Sequence, residues 1–183
     1  SPVAPFDAPA ETVLEPVPVV ASDAAIILYT SGTTGKPKGA TLTHANILSN
    51  ARSCVSVFGF RAEDVIFGGL PLFAASATVA LLPRFTPDGA LNLMERAGVS
   101  VLAAVPSMYV SLAAALEADP ERARSLRGRI RFGISGGSPL PAPVHAAWKT
   151  LIECPVYEGY GLSETSPVVS FNQAEFGMVL GSV

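Results

Sequence analysis

The stretch "AAIILYTSGTTGKPKGATLTH", residues 24–44, contains an apolar run, a polar loop and the start of a helix, and this succession indicates the fold class. Its first six residues form a short, uninterrupted apolar run, which is typical of a β-strand buried on both faces. A loop of glycines, hydroxyl residues and lysines follows, and Thr43 then suits the N-cap of a helix. The stretch therefore predicts a strand, a polar loop and a helix in succession.

The same alternation continues along the chain. Strands are predicted at residues 99–105 and 130–134, and another begins at 155–157, because each is a short apolar run. Asp88 is the predicted cap of a second helix, Pro106 suits the first turn of a third, and residues 141–152 form a fourth. This order predicts an α/β fold with a mostly parallel sheet and flanking helices.

Composition and charge limit the function. The chain has 183 residues, of which 49% are hydrophobic and 15% charged, so part of its surface is expected to be covered by other protein. A net charge of -3 does not favour a nucleic-acid partner. Two cysteines without metal spacing and no signal-peptide pattern predict a cytoplasmic protein.

Two segments differ from the rest. Residues 1–22 are rich in proline and predict an extended lead-in, so the domain is expected to occupy 23–183. Residues 65–83 carry no charge over a length near that of a membrane span, but glycines and prolines interrupt them and no aromatic belt flanks them. A buried strand, or two separate pieces, is therefore predicted there rather than a transmembrane segment.

The polar loop suggests phosphate binding, yet it is not a Walker loop. Gly32 and Gly35 are too close together, and Pro37 stands where a Walker loop has Ser or Thr. The glycines and hydroxyls can still wrap a polyphosphate while Lys36 adds charge. A solvated turn is the alternative that this pattern leaves open.

The whole string "YTSGTTGKPKGATLTH", residues 29–44, resembles the signature loop of the adenylate-forming superfamily, which includes acyl-CoA synthetases. Two further stretches are similar to motifs of that family: "GISGGSPLP", residues 133–141, and "YEGYGLSETSP", residues 157–167. The resemblance implies an enzyme that joins a carboxylate to AMP, releases pyrophosphate and passes the acyl group to a thiol. It implies ATP, Mg²⁺ and CoA as cofactors.

The resemblance also implies site residues. Lys36, Thr34 and Glu164 are the expected catalytic residues, and Glu164 is the expected Mg²⁺ ligand. Tyr160 is expected to stack on adenine opposite Gly137, Ser138 and Pro139, and Ser163 to bond the α-phosphate. The remaining nucleotide-binding residues that it implies are Thr30, Ser31, Gly32, Thr33, Gly35, Glu158, Gly159 and Gly161.

Residues 81–109 are most similar to the fatty-acyl-CoA synthetase branch. There the resemblance implies an acyl pocket lined by Val105, Met108, Tyr109 and Gly136, although at helical spacing Met108 and Tyr109 fit a plain core equally well. The sequence departs from the family after Phe73, where a His-containing segment is expected, so a segment is predicted to be missing between residues 73 and 74; a real deletion is the alternative. The C-terminal domain of the family is likewise expected to be missing from this sequence, and this chain is expected to be inactive by itself.

The implied function is ATP-dependent activation of a fatty or other carboxylic acid to acyl-AMP, followed by thioester formation with CoA. A ligase that delivers the acyl group to a carrier protein and a non-catalytic nucleotide-binding chain are the alternatives. Peripheral contact with a membrane stays open because arginines cluster between residues 122 and 131, although a solvated helix end and turn is the favoured explanation of such a cluster.

Overall fold

The computed structural model describes residues 17–30, 38–68, 77–173 and Ser182. Within these parts the chain forms eight β-strands and five α-helices. The strands are β1 (Ala24–Thr30), β2 (Lys38–Thr43), β3 (Val65–Phe67), β4 (Thr78–Ala80), β5 (Val101–Ala104), β6 (Phe132–Gly136), β7 (Val156–Gly161) and β8 (Val168–Phe171). The helices are α1 (His44–Phe58), α2 (Pro87–Ala97), α3 (Pro106–Ala118), α4 (Pro120–Leu126) and α5 (Ala142–Ile152).

Strands β3 to β8 form the main sheet, in the order β4-β3-β5-β6-β7-β8. Every neighbouring pair from β4 to β7 is parallel, and only β8 runs antiparallel to its neighbour β7. Parallel strands need crossover connections, and α2 connects β4 to β5, α3 and α4 connect β5 to β6, and α5 connects β6 to β7. The predicted α/β fold with a mostly parallel sheet and flanking helices is confirmed.

The prediction for the first strand is wrong in one respect. β1 exists, but it pairs antiparallel with β2 in a separate two-stranded sheet. Its side chains are mostly exposed, including Ile27 at 56% and Tyr29 at 76%. The sequence does not predict β2, because Lys38 and Gly39 belong to the polar loop by composition. Of the predicted lead-in, residues 1–16 lie outside the described parts, and 17–20 have no regular structure.

Local capping chemistry explains where the helices begin. As predicted, Thr43 caps α1: its hydroxyl accepts from the backbone N–H of Asn46 at 3.2 Å, and the Asn46 side chain accepts from the N–H of Thr43. Asp88 is not the cap of α2. Thr86 takes that position, accepting from the N–H of Gly89 at 3.1 Å, because Pro87 fits the first helical residue.

Side chains of the main sheet alternate between two hydrophobic layers. One face packs on α2, α3, α4 and α5 through residues such as Leu102 and Val156, and the fully buried Trp148 of α5 lies in this layer. The other face packs on α1 through Val101, Phe132 and Ile134. The core therefore fixes the positions of the loops at both ends of the parallel strands.

The arginine cluster is largely part of the fold. Arg122 pairs with Glu95 at 2.9 Å, Arg127 lies 3.2 Å from Glu153, and Arg131 pairs with Asp64. These contacts support a structural role rather than a docking patch for phosphates or lipid.

The apolar segment 65–83 contains β3 and β4, with residues 69–76 outside the described parts. Among the described helices, none has the length and apolarity that crossing a bilayer requires. The segment predicted to be missing between residues 73 and 74 falls outside the described residues.

Asp64 joins three strands at the amino end of the sheet. It is only 2% exposed, and its carboxylate accepts hydrogen bonds from Arg131, from the Ser100 hydroxyl at 2.7 Å and from the N–H of Arg61 at 2.8 Å. Burial by itself raises the pKa of this carboxyl, but the hydrogen bonds and the charge of Arg131 outweigh burial and lower the pKa below its ordinary 3.8.

We expect Asp64→Asn to be destabilising at neutral pH and nearly neutral in acid. The pKa of Asp64 in the folded state lies below its pKa in the unfolded state. The ionised carboxylate therefore stabilises the fold at pH values above the unfolded-state pKa, and this stabilisation is lost as the pH falls through the folded-state pKa. Urea unfolding of both proteins between about pH 7 and about pH 3 checks this. A difference in unfolding free energy that stays constant over this range would contradict the assignment.

Candidate functional site

The loops that follow β5, β6 and β7 lie together at the carboxyl end of the main sheet. Their strands are adjacent and parallel, so Ala104, Ser135 and Glu158 lie in neighbouring register positions just before the loops begin. Ligands of open α/β sheets bind at this edge. The structure thus brings together the two glycine-containing motifs, 133–141 and 157–167, although more than twenty residues separate their starts.

An inner cavity of about 460 Å³ opens at this edge. The start of α3 and the end of β6 form one wall, and β7 with β8 forms the other. Its lining includes Val105, Met108, Gly136, Tyr160, Ser163 and Phe171. Of the four residues predicted to line an acyl pocket, Val105, Met108 and Gly136 lie here.

Tyr109, the fourth of those residues, does not line the inner cavity. It is fully buried on the opposite side of the sheet, where its hydroxyl donates to the carbonyl of Leu102 at 2.8 Å and lies 3.2 Å from that of Ile134. Burial, with a smaller contribution from the Cys154 thiol, raises the pKa of this phenol well above its ordinary value. Tyr109 is therefore a neutral core residue that bridges β5 and β6.

An outer cavity of about 430 Å³ adjoins the inner one. Gly137, Ser138 and Pro139 line one part of it, and Tyr160 and Leu162 line another. The Tyr160 side chain borders both cavities and is 49% exposed. The predicted adenine-flanking residues therefore surround one space, with the aromatic residue across from the loop; their binding of adenine stays a prediction.

Two contacts shape this region. Glu158 is buried, and its carboxylate accepts from the N–H of Leu140 at 2.7 Å, which holds the loop after β6 against β7. At Gly159 a β-carbon would collide with the ring of Phe171, so only glycine lets β7 and β8 approach this closely. Glu158 lines the outer cavity, and Gly159 and Gly161 line both cavities.

Glu164 lies on a short 3₁₀ turn, Ser163–Thr165, directly after β7. The Thr165 hydroxyl fixes this turn, because it accepts from the N–H of Leu162 at 3.1 Å and lies 2.8 Å from the carbonyls of Leu162 and Pro167. Ser163 lines the inner cavity, whereas Glu164 is exposed. The turn thus carries an exposed carboxylate next in sequence to a residue that lines the inner cavity.

The donor set near Glu164 fits Mg²⁺ held jointly with a phosphate. Mg²⁺ keeps several waters and commonly uses one or two carboxylates together with substrate phosphates. Among the described residues no group of three or more His, Cys, Asp or Glu could hold a metal ion by itself. Glu164 therefore suits an ion that arrives with a polyphosphate rather than one caged by the protein.

The predicted phosphate loop, Ser31 to Lys36, lies outside the described residues. The roles predicted for its residues, which include Gly32, Thr33, Thr34 and Gly35, therefore stay predictions. Its flanks are described: Thr30 and Lys38 are paired across the β1–β2 hairpin. The Ser163–Thr165 turn packs against both strands of this hairpin. The strands that carry the loop thus contact the turn that carries Glu164.

Sequence reasoning missed the contribution of β8. Pro167, Val168 and Phe171 line the inner cavity, and Asn50 of α1 donates to the carbonyl of Val168 at 2.8 Å. Residues 168–171 give only a weak strand signal, because Ser170 and the nearby Asn172 interrupt the apolar run. The antiparallel reversal after residue 161 leaves no clear mark in the sequence.

The family comparison agrees with this arrangement. The family described as AMP-binding enzyme matches residues 3–183. The chain belongs to the AMP-binding enzymes. This confirms the resemblance to the adenylate-forming superfamily.

Individual relatives of this AMP-binding chain act on different acids. It is 32% identical to 4-coumarate-CoA ligase 2 of Narcissus pseudonarcissus over 88% of this chain and 31% of the relative. It is 32% identical to a long-chain-fatty-acid–CoA ligase of Bacillus subtilis (strain 168) over 82% of this chain and 29% of the relative. A malonyl-CoA ligase solved with methylmalonyl-CoA and AMP superposes with a TM-score of 0.76 and 31% identity, covering 85% of this chain and 36% of that one.

The chain spans about a third of the length of these relatives. It is therefore an AMP-binding chain similar to acid–CoA ligases, whose acids range from coumarate to fatty acids and malonate.

Proposed function

We propose that the protein activates a carboxylic acid, with a fatty acid as the substrate favoured by the sequence, and transfers it to CoA. The observation that carries the proposal is the pair of adjoining cavities that share Tyr160 as a wall. One is apolar and suits the acid, and the other has the loop and aromatic side chain that suit a nucleotide. A reaction between an acid and a nucleotide needs two such spaces in contact.

In the first step a carboxylate oxygen of the acid attacks the α-phosphorus of ATP. The bond between the α-phosphorus and the oxygen that bridges it to the β-phosphate breaks, and pyrophosphate leaves with the electron pair of that bond. In the second step the thiolate sulfur of CoA attacks the acyl carbon, and AMP leaves. The thioester carries the acyl group, and the charge of each step balances.

In this scheme the protein groups position the phosphates of ATP and neutralise their charge. In this proposal Ser163, which lines the inner cavity, donates to an α-phosphate oxygen, and Lys36 of the polar loop adds positive charge. Glu164 would hold Mg²⁺, which would supply positive charge to the phosphates from which pyrophosphate departs. The apolar walls keep water from the acyl adenylate, which water would hydrolyse.

We expect Tyr160→Ala to weaken ATP binding by about tenfold, because stacking of a base on an aromatic side chain contributes about 1–3 kcal/mol. Tyr160→Phe keeps the ring and is expected to bind ATP almost as the wild type does. Isothermal titration of the complete protein with ATP and magnesium measures both. Equal affinity for all three proteins would show that Tyr160 does not contact the base.

Product analysis tests the proposal as a whole. The complete protein is incubated with ATP, magnesium and hexanoate, with and without CoA, and the products are identified by mass spectrometry. Hexanoyl-CoA and AMP are the expected products. Acyl-AMP that CoA does not consume would favour delivery to a carrier protein, and ATP binding without any acyl product would favour a non-catalytic chain.

We also propose that the protein is cytoplasmic. Both cysteines, Cys54 and Cys154, are buried free thiols, which suits a reducing compartment.

A further inference from the structure

The described lining of the inner cavity carries no charge. Most of its side chains are apolar, and the only hydroxyl groups among its described lining side chains are those of Tyr160, which also borders the outer cavity, and Ser163. A charged group placed in such a space without a partner loses its hydration and gains nothing in return. The cavity therefore discriminates by charge as well as by shape.

No described residue that lines the inner cavity is a lysine, an arginine or a histidine. Glu158 lines the outer cavity, and Glu164 lies on the exposed turn. The described lining therefore offers no cation for a second carboxylate on the acid.

Phe171 lies between the inner cavity and a further cavity between α1 and β8, because it lines both. Its ring packs edge-on against Phe58 of α1, with ring centres 4.6 Å apart, and Phe58 stacks on Phe132 at 5.9 Å. Gly159 lies directly against the same ring. Phe171 thus packs against both β7 and Phe58 of α1, and these contacts hold its ring at the boundary between the inner cavity and the further cavity.

We propose that the inner cavity takes an acid with a single carboxylate and an uncharged, apolar tail, and that Phe171 limits the length of this tail. The proposal rests on the proposed function, since it assigns the substrate class of the same site. It separates this chain from those relatives that activate a dicarboxylate. The reacting carboxylate faces the outer cavity, and the tail points toward Phe171.

Matched acids test the substrate class without any variant. The complete protein is assayed for AMP formation with ATP, magnesium and CoA, using three pairs that differ by one carboxylate: butanoate and succinate, hexanoate and adipate, and benzoate and terephthalate. In the pair that the protein uses best, we expect kcat/KM for the monocarboxylate to exceed that for the dicarboxylate by about 100-fold or more, because the second charge would be buried unpaired.

The outcomes separate this inference from the proposed function. A dicarboxylate used as well as its partner, or better, overturns the substrate class while the acid-activating function stands. AMP formation with none of the acids overturns both.

Variants of Phe171 test the limit on tail length. In Phe171→Leu the side chain is shorter but still apolar, and the ratio of kcat/KM for dodecanoate to that for hexanoate is expected to rise by about tenfold. Phe171→Ala is expected to raise it further, if the variant folds. Val169→Ala is the control, since Val169 lies on the same strand, is 54% exposed and does not line the inner cavity. An unchanged ratio in Phe171→Leu overturns the role of Phe171.

Discussion

Replacing Glu164 by glutamine is expected to lower acid-dependent pyrophosphate release by about 100-fold or more in the complete protein. The carboxylate is exposed on a turn that the Thr165 hydroxyl holds in place, beside the cavity that Ser163 lines. Glutamine has nearly the same size, so the turn keeps its shape while the negative charge is lost. A neutral amide is a poor ligand for Mg²⁺, and the charge that develops as pyrophosphate leaves is then not neutralised.

Glu117→Gln is the matched control for this experiment. Glu117 is an exposed carboxylate near the end of α3, and it lines neither cavity. We expect its release rate to equal that of the wild type. Near-normal pyrophosphate release by the Glu164→Gln protein would exclude Glu164 as the metal ligand, whatever the control shows.

The largest effect on stability is expected at Trp148. Its side chain is fully buried, its ring lies edge-on to that of Tyr109 with centres 4.9 Å apart, and its indole N–H donates to the Tyr109 carbonyl at 3.1 Å. Removing a buried tryptophan ring costs about 3–5 kcal/mol of unfolding free energy. We therefore expect Trp148→Ala to lower the free energy of unfolding by that amount, measured by urea denaturation.

This residue also connects stability to the site. Trp148 joins α5 to α3, and the segments before these helices carry Pro139 and Val105, which line the two cavities. Trp148→Phe keeps most of the apolar contact and is expected to lose much less than Trp148→Ala. Lys149→Ala, at the exposed neighbouring position, is expected to change the free energy of unfolding by less than about 0.5 kcal/mol. A loss below about 1 kcal/mol for Trp148→Ala would contradict the packing described here.

Much of the main sheet could be predicted from the sequence because its signals are local. Each short apolar run predicts a strand, and the residues that follow it predict where the next helix begins. Pro106, at the start of α3, is one such residue. The environment of β1 could not be predicted in the same way. An apolar run indicates that side chains are hydrophobic, but it does not say which strand pairs with them, and β1 pairs with β2 outside the main sheet.

Site residues that belong to a sequence motif could be predicted, whereas site residues whose position depends on tertiary packing could not. The loop residues 137–139 lie beside residues 158–161 of β7 because β6 and β7 are parallel neighbours. Met108 and Tyr109 could not be told apart, since consecutive helical residues point in directions about 100° apart and the sequence does not reveal which one faces the cavity. Phe171 was missed because its position depends on the antiparallel turn of β8.

The central claim is that this chain contains the site where ATP reacts with a carboxylic acid. Exchange of labelled pyrophosphate into ATP by the complete protein tests it most directly, because this exchange requires reversible formation of acyl-AMP and does not depend on CoA. We predict exchange that requires magnesium and an apolar monocarboxylic acid and that stops when the acid is omitted. Binding of ATP without acid-dependent exchange, across fatty, aromatic and dicarboxylic acids, would contradict the claim.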